Sequence, residues 1–160
     1  MDTDGTATVV GFHPAEIDPS APTRSARLKW VVVVDAGLPA GRAVNAAVCA
    51  AAATAAAVPG LLGAAATDAD GQRHPGLPWA GCTVLAADAE TIHRVRSRAA
   101  ADSGMFVADM PDAAQRTRVY ADYVRTVGDT VSADLRYAAV SVVGPRNRLD
   151  RIVGRLPLLP

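Results

Sequence analysis

The sequence is poor in aromatic residues, in cysteine and in net charge. Of its 160 residues only 4% are aromatic and two are cysteines, while 16 basic side chains balance 16 acidic ones. Two cysteines are too few for a disulfide framework. Cys49 and Cys82 also lack the spacing of a zinc or redox motif, so we expect free, partly buried thiols. Balanced charge argues against a protein that binds polyanions through bulk electrostatics.

Signals for export, membrane insertion and cofactor binding are also missing. The N-terminus shows no basic segment ahead of an apolar one, so no secretory signal is expected. The longest apolar run, residues 43–66, is interrupted by Asn45 and Thr54 and broken by Pro59, so it predicts a buried helix rather than a membrane span. No glycine-rich nucleotide motif, nucleophile elbow or zinc-protease motif occurs. We therefore expect a cytoplasmic protein without membrane contact, cofactor or metal.

What the sequence does contain is enough apolar mass for one globular domain. Half of the residues are hydrophobic, and most of these are alanine and valine. Residues 1–27 are rich in Pro, Thr, Ser and Asp without a sustained period, so they predict a partly extended N-terminal arm. The domain is expected to span residues 28–160. Within it, Asp70-Gly71 lies among turn-forming residues and predicts the tip of a hairpin.

Strand and helix patterns alternate along this domain. The β-branched run of residues 28–35 is typical of a strand buried on both faces. Residues 41–57 predict a helix that is apolar nearly all round, so we expect other elements to enclose it. Further strands are predicted at 81–86, 105–109 and 135–143, and further helices at 88–101, 111–127 and 147–154. The alternation predicts an α/β domain in which a four-stranded, mixed and largely buried sheet is flanked by helices.

The loop from Asp35 to Arg42, which follows the first strand, is the first candidate site. A glycine-bearing loop at a helix N-terminus presents backbone N–H groups that favour an anion, and Gly41 lies in this turn. Arg42 adds a cation where the helix dipole disfavours one, a conflict that an anionic ligand would relieve. The alternative is that Arg42 simply pairs with Asp35 or another surface carboxylate.

Arg42, Asn45 and Cys49 are spaced so that one stripe of the first helix carries all three. Two roles are open for Asn45: it orients a ligand, or it is a buried structural amide that binds the backbone of a neighbouring strand. Two roles are likewise open for Cys49. It is either a nucleophile or, because it lies two turns into the helix, a small packing residue.

Polar residues also follow the third strand. Asp109, Asp112, Gln115 and Thr117 lie where a strand leads into a helix, which is a common place for active-site carboxylates. Local structure offers another explanation for both acids. Asp109 would cap the helix, and Asp112 would be an acidic first-turn residue that matches the helix dipole.

Taken in order, these segments resemble the type-two peptidyl-tRNA hydrolases of archaea and eukaryotes over residues 28–159. The shared features are the opening strand, the loop that ends in Gly41-Arg42 before an alanine-rich helix, and the tail that runs through residues 140–145 to a short helix. The sequence is more similar still to a bacterial family with that fold, the domain-of-unknown-function family numbered two thousand. That similarity lies in Leu38-Pro39-Ala-Gly41 with Asn45-Ala-Ala, in Asp70-Gly71 with His74-Pro-Gly76, and in Gln115 with Thr117 and Tyr120.

The resemblance implies a type-two peptidyl-tRNA hydrolase-like fold and a site built from a lysine, a histidine and an aspartate. Arg42 stands at the lysine position, Cys49 approximately at the histidine, and either Asp112 or Asp109 at the aspartate. The hydrolases' glycine-threonine stretch has no clear match around residues 134–136. Because arginine stays protonated and cannot act as a tunable lysine, this replacement argues against a tRNA substrate, as does the neutral net charge.

Three functional hypotheses result. In the leading one, an anionic small molecule binds at the N-terminus of the first helix, where Arg42 and loop amides hold the anion. Asn45 orients the ligand, Asp112 is its base or partner, and the question of catalysis stays open. The predicted catalytic set is Asp112, Arg42 and Cys49, and the predicted ligand-binding set is Asp35, Gly41, Asn45, Asp109, Gln115 and Thr117. The alternatives are hydrolysis of peptidyl- or aminoacyl-tRNA esters with Asp112 as the base, and a non-catalytic binding module that forms a homodimer or larger oligomer.

Overall fold

The computed structural model describes residues 9–160, which form six strands and four α-helices. In chain order the elements are β1 (Leu28–Asp35), α1 (Ala40–Ala57), β2 (Ala66–Thr67), β3 (Arg73–His74), β4 (Thr83–Ala87), α2 (Ala89–Ala100), β5 (Phe106–Pro111), α3 (Tyr120–Gly128), β6 (Tyr137–Pro145) and α4 (Arg146–Val153). Short 3-10 helices cover Pro14–Glu16, Thr23–Ser25 and Asp112–Gln115. The four predicted strands and three of the four predicted helices are present within two residues of their expected bounds.

The main sheet has the strand order β4-β1-β6-β5. β1 and β4 are parallel, whereas β6 runs antiparallel to both β1 and β5. The predicted four-stranded mixed sheet is therefore confirmed. Because β1, β4 and β5 all point the same way, their carboxyl ends lie at one end of the sheet and their amino ends at the other.

Both faces of the sheet are covered, which explains the unbroken β-branched run of β1. Alternate residues of β1 face opposite sides: Trp30, Val32 and Val34 pack in the core beneath α1, and Val31 and Val33 pack with residues of α2 and α4. The predicted burial of this strand on both faces is confirmed.

A chain of buried polar groups crosses the core beneath α1. Trp30 Nε1 donates to Ser141 Oγ at 2.8 Å, and Ser141 Oγ lies 2.7 Å from Thr54 Oγ1. Thr54 Oγ1 also donates to the Ala50 carbonyl at 2.8 Å. Ser141 and Thr54 are fully buried, and these bonds satisfy the polar atoms that burial would otherwise penalise.

The prediction that other elements enclose α1 is wrong. The buried residues of the helix form a single stripe against the sheet: Ala43, Ala46, Ala50 and Thr54. On the outer side Val44 and Val48 are 58% and 59% exposed. Length and apolar composition alone would suit a membrane span, but that stripe packs on the sheet. The prediction fails because alanine, with its small side chain, occurs on both the buried and the exposed faces of helices.

The helix predicted to begin at Pro111 is also placed wrongly. Pro111 is the last residue of β5 and is buried there, so it ends the strand. A 3-10 turn of four residues follows, and α3 begins only at Tyr120. Because this connection is not helical, residues 116–119 lie on an irregular loop that passes close to α1.

The predicted hairpin tip at Asp70-Gly71 is confirmed by the antiparallel pair β2–β3. Gly71 has a φ of +83°, a conformation that glycine adopts at no steric cost. Before the domain, the described part of the arm packs on it through Phe12, which is buried and stacks edge-on against Trp79. Gly60, with a φ of +71°, allows the Phe12 carbonyl to approach closely. Residues 1–8 of the predicted arm lie outside the described residues.

Candidate functional site

A cavity of about 450 Å³ opens at the carboxyl end of the main sheet, between α1 and the segment that leads from β5 into α3. We call it the α1–α3 cavity. Its lining consists of Cys49, Ala53, Asp109, Met110, Ala114, Thr117, Arg118, Val119, Tyr120 and Tyr123. Ligands of α/β proteins commonly bind outside the carboxyl ends of strands, and the volume suits a small organic molecule.

One carboxylate, that of Asp109, lines this cavity. It lies on β5, and its Oδ2 accepts a hydrogen bond from Arg96 Nε of α2 at 3.1 Å. The same guanidinium lies 5.6 Å from the ring centroid of Tyr137. The Asp109 side chain is only 20% exposed, so it has little contact with solvent. The paired Arg96 guanidinium balances its charge. The predicted role of Asp109 as a helix cap is wrong, because no helix follows directly.

Two tyrosines of α3 line the cavity alongside Asp109. The rings of Tyr120 and Tyr123 are 5.4 Å apart, and Tyr120 is 78% exposed. Burial, followed by the negative charge of Asp109, raises the pKa of Tyr123. Its phenol therefore stays protonated at neutral pH and can donate a hydrogen bond to a ligand.

A polar cluster joins α1 to the 3-10 turn after β5. Arg42 Nε donates to Gln115 Oε1 at 3.0 Å, and Gln115 Nε2 donates to the Arg42 carbonyl at 2.8 Å. Gln115 Nε2 also donates to Asn45 Oδ1 at 3.2 Å. Because Gln115 follows Ala114 and Asn45 precedes Cys49 by one helical turn, the cluster adjoins the cavity.

The cluster settles two alternatives that the sequence left open. Arg42 forms no ion pair with Asp35 or any other carboxylate within residues 9–160, so the predicted alternative of a pair with Asp35 is wrong, and its side-chain partner is Gln115. Asn45 is exposed rather than buried, and its partner is a side chain, so it is not the structural amide of the alternative. Cys49 is exposed too, which corrects the expectation of a partly buried thiol at that position, whereas Cys82 is exposed as a residue but its thiol is partly buried, as expected.

Asp112 lies apart from the α1–α3 cavity. It is an acidic first-turn residue, as its local interpretation predicts, but of the 3-10 turn rather than of a long helix. Its Oδ2 accepts from Arg116 Nη2 at 2.5 Å. It lines a separate cavity of about 470 Å³ together with Thr117 and Arg136. Of the two acids that the sequence could not separate, Asp109 therefore shares a cavity with Cys49 and Asp112 does not.

The loop before α1 offers fewer free amides than predicted. Asp35 Oδ1 accepts from the Gly37 amide at 2.8 Å, and the Asp35 carbonyl accepts from Leu38. The Arg42 amide donates to the Pro39 carbonyl. Gly41 is exposed in the first turn of α1, and neither Asp35 nor Gly41 lines the α1–α3 cavity.

Among the residues that the structure adds to the predicted site, five have larger side chains that can contact a ligand or Asp109: Arg96, Met110, Arg118, Tyr120 and Tyr123. Tyr120 and Tyr123 lie one turn apart on a helical pattern, a visible signal for a shared face. Arg96 had no comparable signal, because its pairing with Asp109 depends on how α2 packs beside β5. Within residues 9–160 no group of three His, Cys, Asp or Glu side chains is placed to hold a metal ion.

These features define an α/β domain with a cavity at the carboxyl end of a mixed sheet. Residues 28–160 match the model of the family described as protein of unknown function (DUF2000), and the chain belongs to that family. A solved structure of similar fold is that of the protein of unknown function Atu0240 from Agrobacterium tumefaciens strain C58. It is 15% identical, with a TM-score of 0.76, over 82% of this chain and 97% of that one. No curated protein matches the chain.

Proposed function

We propose that the α1–α3 cavity binds a small organic molecule that carries both an apolar or aromatic part and an anionic group. The observation that carries this proposal is the composition of the lining. Its single carboxylate, Asp109, is already paired with Arg96, whereas Arg118 has no ion-pair partner within residues 9–160. The charge left for a ligand in this cavity is therefore positive.

The apolar part of the ligand would lie against the alanines and Met110. Ala53 and Ala114 keep the side chains of the wall short, and Tyr120 adds an exposed ring on which an aromatic group can stack. A ligand of this kind buries apolar surface at about 25 cal/mol per Å². Tyr123 and Thr117 supply hydroxyl groups that can fix its orientation.

The anionic group would lie beside Arg118, which lines the cavity, and Arg42 belongs to the polar cluster that adjoins the cavity. Gln115 fixes the Nε edge of Arg42, so the two Nη atoms, which have no partner within residues 9–160, stay free to donate. A guanidinium in this state binds a carboxylate or phosphate through two parallel hydrogen bonds. This proposal keeps the anionic ligand of the sequence analysis and places it along α1, beside Cys49 and Ala53, rather than at the helix N-terminus.

A cavity-filling substitution tests the proposal with a fluorescent aromatic anion, 8-anilinonaphthalene-1-sulfonate. Ala53→Trp places a bulky ring in the cavity, whereas Ala52→Trp places the same ring one residue away, where it does not line the cavity. Both positions are exposed on α1, so helix propensity changes equally. We expect Ala53→Trp to weaken binding of the dye at least about tenfold, or about 1.4 kcal/mol, and Ala52→Trp to leave it unchanged.

The anion contact has its own pair of variants. Arg118→Ala should weaken binding of the dye and of competing phenylacetate, whereas Arg73→Ala, on the hairpin, should not. Circular dichroism confirms that the variants are folded, because the dye also binds partly unfolded chains. Equal affinities for Ala53→Trp and Ala52→Trp, or for Arg118→Ala and Arg73→Ala, would contradict the proposal.

A second candidate is ester hydrolysis of peptidyl- or aminoacyl-tRNA on a type-two peptidyl-tRNA hydrolase-like fold. One observation favours it: Asp109, one of the two residues that could match the hydrolases' aspartate, lines the same cavity as Cys49, which stands approximately at their histidine position. Asp109 would accept a proton from water while the water oxygen bonds to the ester carbonyl, and the tRNA 3′-oxygen would leave with a proton. Release of tRNA from N-acetyl-aminoacyl-tRNA, lost in Asp109→Asn but kept in Asp112→Asn, is the expected result. No release by the wild-type protein would remove this candidate.

A further inference from the structure

A second cavity, of about 350 Å³, lies at the opposite end of the main sheet. It is bounded by the start of β1, the start of β4, the start of α4 and the end of the N-terminal arm. Its nine lining residues are Thr23, Arg24, Lys29, Trp30, Ala80, Gly81, Cys82, Thr83 and Arg146. We call it the basic cavity, because three of these residues are cationic and none is acidic.

The cations of the basic cavity are only partly compensated. Lys29 Nζ lies 2.6 Å from Asp150 Oδ1, so its charge is balanced from outside the lining. Within residues 9–160 the Arg146 side chain donates only to backbone carbonyls, those of Thr23 and Ala26, at 3.3 to 3.4 Å. Arg24 is exposed, and its side chain has no hydrogen-bond or ion-pair partner within residues 9–160. Two positive charges therefore face this cavity without a carboxylate.

Two neighbouring cations without a counterion repel each other, and a bound anion would remove that repulsion. The available donors suit an anion with several oxygens. Arg146 Nη1 and the Nη atoms of Arg24 are unused within residues 9–160, Lys29 has further protons on Nζ, and Thr23 and Thr83 add hydroxyl groups. Guanidinium groups match the geometry of phosphate oxygens, and two uncompensated charges match a phosphate dianion better than a carboxylate.

We propose that the basic cavity binds the phosphate group of a phosphorylated small molecule. The N-terminal arm completes the site: Thr23 and Arg24 belong to its last turn, and Arg146 Nη2 contacts the Thr23 carbonyl. The matched family region starts at residue 28. The family-matched domain therefore supplies Lys29 and Arg146, and the segment outside it supplies Arg24. Binding of phosphate should also tie the arm to the domain.

The two cysteines allow occupancy of each cavity to be measured separately, because Cys82 lines the basic cavity and Cys49 lines the α1–α3 cavity. The experiment follows the rate of N-ethylmaleimide labelling of each cysteine by mass spectrometry, with and without pyrophosphate at about 10 mM. Ionic strength is held constant, because salt alone screens the repulsion between the arginines and could change the labelling rate. Glucose 6-phosphate and inorganic phosphate serve as further probes, to distinguish a phosphoester from the free ion.

We expect pyrophosphate and glucose 6-phosphate to slow labelling of Cys82 but not of Cys49, and to raise the melting temperature. Arg24→Glu should weaken this protection at least about tenfold. Arg73→Glu, the same charge change on the hairpin, should leave it intact. Equal protection in Arg24→Glu and the wild type, no protection of Cys82, or protection by inorganic phosphate alone would overturn the proposal. None of these results bears on dye binding in the α1–α3 cavity, so the two proposals fail separately.

Discussion

The two cavities at opposite ends of the main sheet differ in how their charges are arranged. In the α1–α3 cavity, the one carboxylate is paired with Arg96, Arg118 is the one cation of the lining, and the remaining wall is mostly apolar and aromatic. In the basic cavity, Arg24 and Arg146 both belong to the lining, and no acidic residue of the lining balances their charges. The comparison shows that a net charge of zero is an average over the surface. It argues against a uniformly basic surface and does not exclude a local anion site.

The origin of the cations explains why the sequence hides the basic cavity. Arg24, Lys29 and Arg146 come from the arm, β1 and α4, and only the antiparallel pairing of β1 with β6 brings Lys29 close to Arg146. No local motif marks three cations that are so far apart in the chain. The α1–α3 cavity is different, because the predicted stripe on α1 supplied its Cys49 and the predicted loop after the third strand supplied its Asp109 and Thr117.

The largest expected effect concerns the reactivity of Cys82, the thiol that lines the basic cavity. Burial raises the pKa of the Cys82 thiol from its ordinary 9.0 to about 12, although the residue as a whole is exposed. At about pH 8 its thiolate fraction is then at least about a hundredfold lower than that of an ordinary thiol, and labelling should be at least about tenfold slower, because a thiolate of higher pKa is itself more nucleophilic. The measurement is the labelling rate of Cys82 in the native protein against that in urea. Equal rates in the two states would mean that the basic cavity does not shelter its thiol.

The next largest effect concerns the buried polar groups of the core that lies between the two cavities. Ser141→Ala removes the acceptor of the Trp30 indole N–H, and Trp30 lines the basic cavity. Leaving that buried donor unpaired costs about 1–3 kcal/mol of the free energy of unfolding, measured by urea denaturation. Thr54 keeps its bond to the Ala50 carbonyl, so α1 should stay in place.

Thr126→Ala is the control for this substitution. Its hydroxyl also donates a hydrogen bond, to the Asp122 carbonyl, but on the exposed face of α3. We expect a change within about 0.5 kcal/mol. If Ser141→Ala were as mild as Thr126→Ala, the buried chain of polar groups would not stabilise the core. If Ser141→Ala lowered binding in both cavities equally, the two sites would not be independent.

How far the sequence predicts this molecule depends on how local the decisive interaction is. The β-branched run of β1, the Asp88 cap of α2 and the hairpin at Gly71 are local features, and all three are present where expected. The outer face of α1 was predicted wrongly because a surface of alanine and valine does not reveal whether a neighbouring element covers it. Pro111 was predicted wrongly because proline suits both a first helical turn and the end of an edge strand.

The candidate site follows the same rule. The stripe of Arg42, Asn45 and Cys49 follows from helical periodicity alone, and the structure brings its first two members to Gln115. The choice between Asp109 and Asp112 could not be made locally. It depends on the side chain's direction from β5 and on Arg96, which reaches Asp109 from another helix. Interactions between distant segments decide which acid lines the cavity, and one sequence does not contain that information in a visible pattern.

The smallest effect concerns the arm that completes the basic cavity. Arg27 Nη2 lies 2.8 Å from Glu16 Oε1, and this hydrogen bond is the main cause of the lowered pKa of Glu16. A carboxyl group whose pKa is lowered by folding stabilises the folded state above its ordinary value of 4.5, and that contribution is lost as the pH falls through the lower, folded value. The pair is partly exposed, so its contribution should stay below about 1 kcal/mol.

Glu16→Gln should therefore lower the melting temperature slightly at neutral pH, and the difference from the wild type should vanish as the pH falls below 4.5. Glu90→Gln is the matched control, because Glu90 is 91% exposed and lies 3.7 Å from Arg94 within one helix. Arm docking is followed by the fluorescence of Trp79, which Phe12 contacts. If Glu16→Gln left both signals unchanged at neutral pH, the arm would be held by its other contacts, such as those of Phe12 with Trp79 and of Arg146 with the Thr23 carbonyl. The Glu16–Arg27 ion pair would then not be needed to position Arg24 at the basic cavity. In that case protonation of Glu16 at mildly acidic pH should not lower the affinity for phosphate.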